Sequence, residues 1–147
     1  SSDVCSSDLA DGSMKKVADT YKLADAMVEQ AAPDADYTVP TDGDVAYIQS
    51  KGKLVVGITE FEPMDYKDAS GNWIGFDADM AKLVAEKLGV DIEFTVINWD
   101  NKIMELDSKA IDVVWNGMTL TDEVKNSMEC TNPYFNNAQV VVTKAAE

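Results

Sequence analysis

The chain is expected to be an α/β protein built on a mostly parallel central sheet flanked by helices. Short strand-like runs beginning at Leu54, Val90 and Ile111 are separated by segments with helical apolar spacing. Strand, helix, strand, helix, strand implies right-handed crossovers and parallel pairing, because a hairpin turn cannot join parallel strands. With 147 residues, 46% of them apolar, the chain can bury one ordinary core and is too short for two substantial domains.

The elements follow in order. Ser1 to Leu9 reads SSDVCSSDL, which has no helical or strand period and resembles the translation of a sequencing adapter. Residues 1–13 are therefore treated as a leader outside fold reasoning. Met14, Val17, Tyr21, Ala24 and Val28 recur at helical steps, so residues 14–32 are expected to hold an accessory amphipathic helix, with Ser13 as a cap and Pro33 beyond its end. Residues 33–44, with two prolines, read as a linker, and 45–147 as the main body. Val45 to Ser50 forms a helical turn, and Leu54 to Thr59 is a buried strand.

Residues 66–76 contain an Asp68 to Asn72 turn and suggest a hairpin. Asp77 is placed to cap a helix with Met80, Leu83, Val84 and Leu88 on one face and Gly89 as its stop. Val90, Ile92, Phe94 and Val96 alternate with polar residues as a second strand. Residues 100–109 form a short helix, 111–115 a third strand, and Thr121-Asp122-Glu123 opens another helix. Residues 139–143 complete the sheet. Met64, Met80, Met104, Met118 and Met128 are expected to fill the core rather than to bind metal, and Cys130 to be a buried small residue.

Composition narrows the function. Asp and Glu number 27 against 12 basic residues, all lysine, for a net charge of −15. Such a chain is repelled by nucleic acid and anionic membranes. Without histidine it lacks the side chain best suited to proton transfer near neutrality, and no cysteine stands in a metal-ligand spacing. No cofactor is expected. Without arginine, no planar fork exists for bidentate capture of a carboxylate. No run approaches the roughly 20 apolar residues of a membrane span.

In an open α/β sheet, ligands bind beyond the carboxyl ends of the strands. Glu60, Phe61, Glu62 and Met64 follow the first strand. Asn98, Trp99 and Asp100 follow the second, and Asn116, Gly117, Met118, Thr119 and Thr121 the third. Two aromatics and several hydrogen-bonding groups thus converge on one edge, which suits a small ligand with an apolar or cationic part and a polar head.

The runs KLVVGITEFEPMDY, GNWIGFDADMAKLVAEKLGV and WNGMTLTDEVKNSMECTNPYF resemble, in order and spacing, the first lobe of a type II periplasmic solute-binding protein of the polar amino-acid ABC-importer branch. The resemblance covers about residues 45–143 and implies a chain that ends before the second lobe. It implies that Phe61 and Trp99 face the ligand from opposite sides. It also implies that the Gly117 carbonyl takes an α-ammonium, and that Thr119 holds an α-carboxylate beside Asn116 and Met118. Two positions depart from the family. Val124 stands where arginine clamps the carboxylate, and Ile58 where the first strand carries an acid. Asp122 and Glu123 add negative charge at the same helix start.

Lys125 is the nearest cation in sequence, turned from Val124 by about a quarter turn or more of helix. Glu60, Glu62 and Asp100 leave a cationic ligand open. The expectation is a non-catalytic, extracytoplasmic and monomeric binding protein for a small polar solute, most simply an amino acid, with a membrane permease as partner. The alternatives are a related dehydratase or lytic transglycosylase, and a receptor's sensing domain.

Overall fold

The computed structural model describes residues 11–29 and 42–138. Its centre is a three-stranded parallel sheet in the order β4-β1-β5. Strand β1 (Lys53–Ile58) pairs along its whole length with β4 (Asp91–Val96), from Lys53 opposite Asp91 to Ile58 opposite Val96. On its other side β1 pairs with β5 (Val113–Val114) through Val56 and Gly57. Parallel pairing and both crossovers are as the alternating pattern requires. Between β1 and the first crossover helix lies the hairpin of β2 (Tyr66–Lys67) and β3 (Trp73–Ile74). Its turn closes when Asp68 Oδ1 accepts from the amides of Ser70 (2.8 Å) and Asn72 (2.9 Å).

Helices cover both faces. Besides α1 (Ser13–Thr20), there are α2 (Asp44–Lys51), α3 (Phe76–Leu88), α4 (Lys102–Asp107) and α5 (Asp122–Ser127). Leu54 and Val56 of β1 pack with Ile48 of α2 and with Ala81 and Ala85 of α3. On the opposite face Val55 packs with Ile97, Ile111 and Leu106 of α4. Gly57 has no room for a side chain: a Cβ there would lie 3.2 Å from Ile97 Cδ1 and closer still to Ile111. Asp112, only 4% exposed, ties these layers together. Its carboxylate takes a 2.6 Å ion pair from Lys51 and the Val55 amide at 2.7 Å.

Several expectations are revised. The N-terminal helix stops at Thr20, well short of residue 32. Leu23 N–H donates to Ala18 O (2.8 Å) and Lys22 N–H to Asp19 O (3.2 Å), while Lys22 takes a left-handed φ of 59°. This is a Schellman closure without the glycine that usually announces one. The chain then makes a 3-10 turn at Ala24–Ala26 and bridges Met27 to Phe135. Met14 and Ala18 pack with Met64, Phe76 and Met80, and the Tyr21 hydroxyl donates to Asp79 Oδ2 at 2.6 Å. The segment is therefore part of the body rather than an accessory.

Asp77 does not cap α3. Gly75 is the N-cap, and the first amides donate to loop carbonyls, Phe76 N–H to Pro63 O (3.1 Å) and Asp77 N–H to Met64 O (2.9 Å). Gly75 has φ 119°, and a Cβ there would collide with Met64 O. The Asp77 side chain is thereby released for another role. At the far end Gly89 stops α3 as expected, with φ 71°. The alternation of β4 also fails at its end. Val96 is 62% exposed, whereas Ile97 is buried. Met64 and Met80 are in the core, but Met104 is 59% exposed, and Cys130 is only half-buried. Most of the linker and of the leader, and the strand expected at 139–143, lie outside the described residues, and the end of the linker, Asp44, opens α2.

Candidate functional site

The three strand ends open on one cavity of about 480 Å³. Glu60, Phe61, Trp99, Asn116, Gly117, Met118 and Thr119 line it, together with Thr59, Lys102, Ile103, Thr121, Glu123 and Val124. Seven of the eight expected residues thus meet in one place. Lys125 is exposed and outside the lining, because α5 buries Val124 and turns its neighbour outward. Glu62 and Asp100 are also exposed and outside it.

Phe61 is 52% exposed, an unusual position for so large an apolar ring. Its backbone is held by a tight turn: Phe61 N–H donates to Asp65 O (2.6 Å), and Met64 N–H to Phe61 O (2.8 Å). The ring lies over Gly117, whose φ is 56°, so that a Cβ there would sit 3.1 Å from Phe61 Cε1. Trp99 begins the 3-10 turn Trp99–Asn101, which Asn98 caps by accepting from Asp100 N–H at 3.0 Å. Lys102 follows directly. Its ammonium donates to Trp99 O (3.2 Å) and lies 4.8 Å from the Trp99 ring centroid. Lys102 was missed by sequence reasoning because nothing marks the turn that swings the first residue of α4 into the cleft. It is the one cation among the lining residues, beside the acids Glu60 and Glu123.

Asn116 is buried and joins two strand ends. Its Oδ1 accepts from Thr59 N–H and its Nδ2 donates to Thr59 Oγ1, both at 2.7 Å. Its side chain is thus largely committed to the fold. Thr119 is exposed, with its Oγ1 accepting from Asn137 Nδ2 at 3.4 Å. At the start of α5, Thr121 Oγ1 accepts from Val124 N–H (3.2 Å). That amide is therefore capped within the chain.

Behind the cleft sit two buried carboxyl groups, Asp65 and Asp77, both fully inaccessible. Asp77 Oδ2 accepts from Gly117 N–H and its Oδ1 from the Tyr134 hydroxyl at 2.8 Å. Burial pushes its pKa up to about 7, opposed by Tyr134, Gly117 and the Trp115 side chain. Neither Asp65 oxygen has a hydrogen-bond partner. The Ala78 amide lowers the Asp65 pKa slightly, but geometrically that amide donates to Met64 O (3.4 Å). Burial, and then the neighbouring charge of Asp77, push Asp65 up to about 8. Among the described residues, no group of three or more Cys, Asp or Glu is placed to hold a metal ion.

A parallel α/β lobe with an aromatic-walled cavity at the carboxyl ends of its strands has the form of a small-ligand-binding lobe. The model of the bacterial extracellular solute-binding proteins, family 3, matches residues 54–147, and the chain belongs to that family. The arginine-binding extracellular protein ArtP of Bacillus subtilis is 35% identical over 95 residues, 64% of this chain and 37% of that protein. The L-cystine-binding protein TcyJ of Escherichia coli is 32% identical over 108 residues, 72% of this chain and 41% of that protein. The chain therefore spans well under half the length of these relatives. A mutant of the arginine-bound form of domain 1 from TmArgBP matches with a TM-score of 0.59 and 41% identity, over 62% of this chain and 71% of that one. The fold is accordingly that of one periplasmic-binding-protein-like lobe with a mostly parallel central sheet, and the family is one of solute-binding proteins rather than enzymes.

Proposed function

We propose that this chain is the ligand-binding lobe of an extracytoplasmic component of an ABC importer and that it takes a small polar solute, most simply an amino acid. The observation that carries the reading is the exposed Phe61 ring facing the same cavity as Trp99, Gly117 and Thr119 in a member of a solute-binding family. Large apolar surface left open at strand ends suits a site completed by a ligand and an opposing lobe. The Gly117 carbonyl is assigned to the ligand ammonium, and Thr119 to its carboxylate.

Val124 makes the wall apolar where a clamping cation would stand, and Lys102 is the cation that the cavity offers instead. The relatives named above bind arginine and cystine, which supports an amino acid without selecting one. In this reading a second lobe closes over the ligand by hinge motion, and a membrane permease recognises the closed form. The protein works outside the cytoplasm as a monomer.

A thermal-shift series of this chain against the twenty amino acids and cystine tests the reading. A ligand at 100 times its Kd adds about 2.7 kcal/mol of stability. The expected result is a shift with one or a few amino acids that Phe61→Ala and Trp99→Ala abolish. No shift with any of them overturns the amino-acid assignment.

A further inference from the structure

The carboxylate of Asp77 lies on the core side of the ligand loop and touches two segments that converge there. One is Gly117, through its amide; the other is Tyr134, through its hydroxyl. Because a trans peptide directs its N–H and C=O to opposite sides, anchoring the Gly117 amide inward turns the Asn116 carbonyl away from the core. It also fixes the plane from which the Gly117 carbonyl departs. Gly117 has φ 56° and is free to change its backbone angles, so it does not hold that orientation unaided. Nor does α3 need the Asp77 side chain, since Gly75 and the Pro63 and Met64 carbonyls complete its first turn.

We propose that Asp77 is the positioning residue of the ligand site: its carboxylate, steadied by the Tyr134 hydroxyl, fixes the Asn116–Gly117 peptide and so the backbone from which the Gly117 carbonyl is presented to ligand. Asp65 supports this from behind. It has no partner of its own and sits in the field of Asp77, so of the two carboxyls it is the one that keeps its proton more readily. Among the described residues, the groups facing Asp77 are the Tyr134 hydroxyl, the Gly117 amide, the Trp115 side chain and Asp65, none of them a cation. Among these residues its charge is stabilised by hydrogen bonds. Burying a charge without a counterion is costly, and a role for it at the binding loop accounts for the cost.

This inference rests on the amino-acid reading for its affinity measurement but has a readout of its own. In proton–nitrogen NMR spectra of the ligand-free chain, the Gly117 amide proton is expected far downfield, as a charge-assisted donor, and to titrate with pH. In Asp77→Asn it moves upfield and stops titrating, because the amide acceptor carries no charge. With the amino acid that shifts the parent chain, the Kd of Asp77→Asn is expected to rise about tenfold. Tyr134→Phe, with Asp77 retained, is expected to lose several-fold.

The melting temperature of Asp77→Asn is expected to hold or rise, since a buried charge is removed. A purely structural role would instead lower stability and leave the Kd of the folded protein unchanged. A folded Asp77→Asn chain with unchanged Kd, or an unmoved Gly117 amide, overturns the proposal. If Asp77→Asn does not fold, Tyr134→Phe carries the same test, with unchanged Kd and an unmoved Gly117 signal as the refuting result. If the parent chain binds no amino acid, that reading fails separately, and the Gly117 titration alone decides this one.

Discussion

Replacing Asp65 with asparagine should change how the stability of this protein depends on pH. Asp65 is fully buried without a hydrogen-bond partner, and its pKa is pushed from 3.8 to about 8. A carboxyl whose pKa is higher in the folded than in the unfolded chain binds its proton more tightly when folded. Stability is then greatest below the unfolded pKa, falls as pH rises, and levels off above the folded value. The window therefore runs from about pH 4 to pH 8. At about 1.4 kcal/mol per pH unit the ceiling is roughly 6 kcal/mol. Sharing of charge with Asp77 and polarisation of the surroundings reduce this to about 2–3 kcal/mol.

Urea unfolding of the parent chain at intervals from pH 4 to pH 9 should show this fall, and Asp65→Asn should remove most of it. Near pH 4 the two proteins should differ little, because a neutral acid and an amide are close in size and polarity. Above pH 8 the variant should be the more stable. The −15 net charge also weakens the fold as pH rises, but it contributes almost equally to both proteins. Parallel stability curves across the whole range would refute the reasoning.

Other consequences follow from single contacts. Gly75→Ala places a Cβ against the Met64 carbonyl at a φ of 119° and should cost at least about 3 kcal/mol in denaturant unfolding. Asp112→Ala leaves Lys51 and the Val55 amide without their shared partner and should cost about 3 kcal/mol, whereas replacing Glu93 of the exposed Lys53–Glu93 pair by Ala should leave stability nearly unchanged. Gly117→Ala, with its Cβ 3.1 Å from the Phe61 ring, should weaken amino-acid binding more than it lowers the melting temperature, read by titration calorimetry alongside thermal unfolding. Lys102→Met should weaken binding of an amino acid about tenfold if its ammonium meets the carboxylate. Unchanged affinity would assign Lys102 to bracing Trp99 alone.

Much of this architecture is legible without coordinates because periodicity and glycine carry it. The β1 and β4 runs, the α3 stripe and the stop at Gly89 all have local signals, and the parallel order follows from the crossovers. The convergence of Phe61, Trp99 and Gly117 is legible too, since strand ends of a parallel sheet share one edge. What escapes is whatever depends on residues without a distinctive type. Lys22 and Lys109 both adopt φ 59° to end helices where no glycine stands. Lys102 enters the cleft only because a 3-10 turn precedes it. Asp77 looks like a cap in sequence, since aspartate near a helix start usually is one. Only the loop carbonyls of Pro63 and Met64, distant in sequence from the helix body, free it for Gly117. The docking of Tyr21 and Met27 is equally invisible, because their partners Asp79 and Phe135 are 58 and 108 residues away.

An amino acid is proposed to bind at the strand-end cavity, on Gly117 and Thr119 between Phe61 and Trp99. Proton–nitrogen NMR spectra of the labelled chain, titrated with the amino acid that raises its melting temperature, test this most directly. The largest shifts are expected on the Gly117 and Thr119 amides and the Trp99 indole, with little change along α1 and the outer face of α3. Saturable shifts confined to α1 and α3, with the Gly117, Thr119 and Trp99 signals unmoved, would contradict binding at the strand ends.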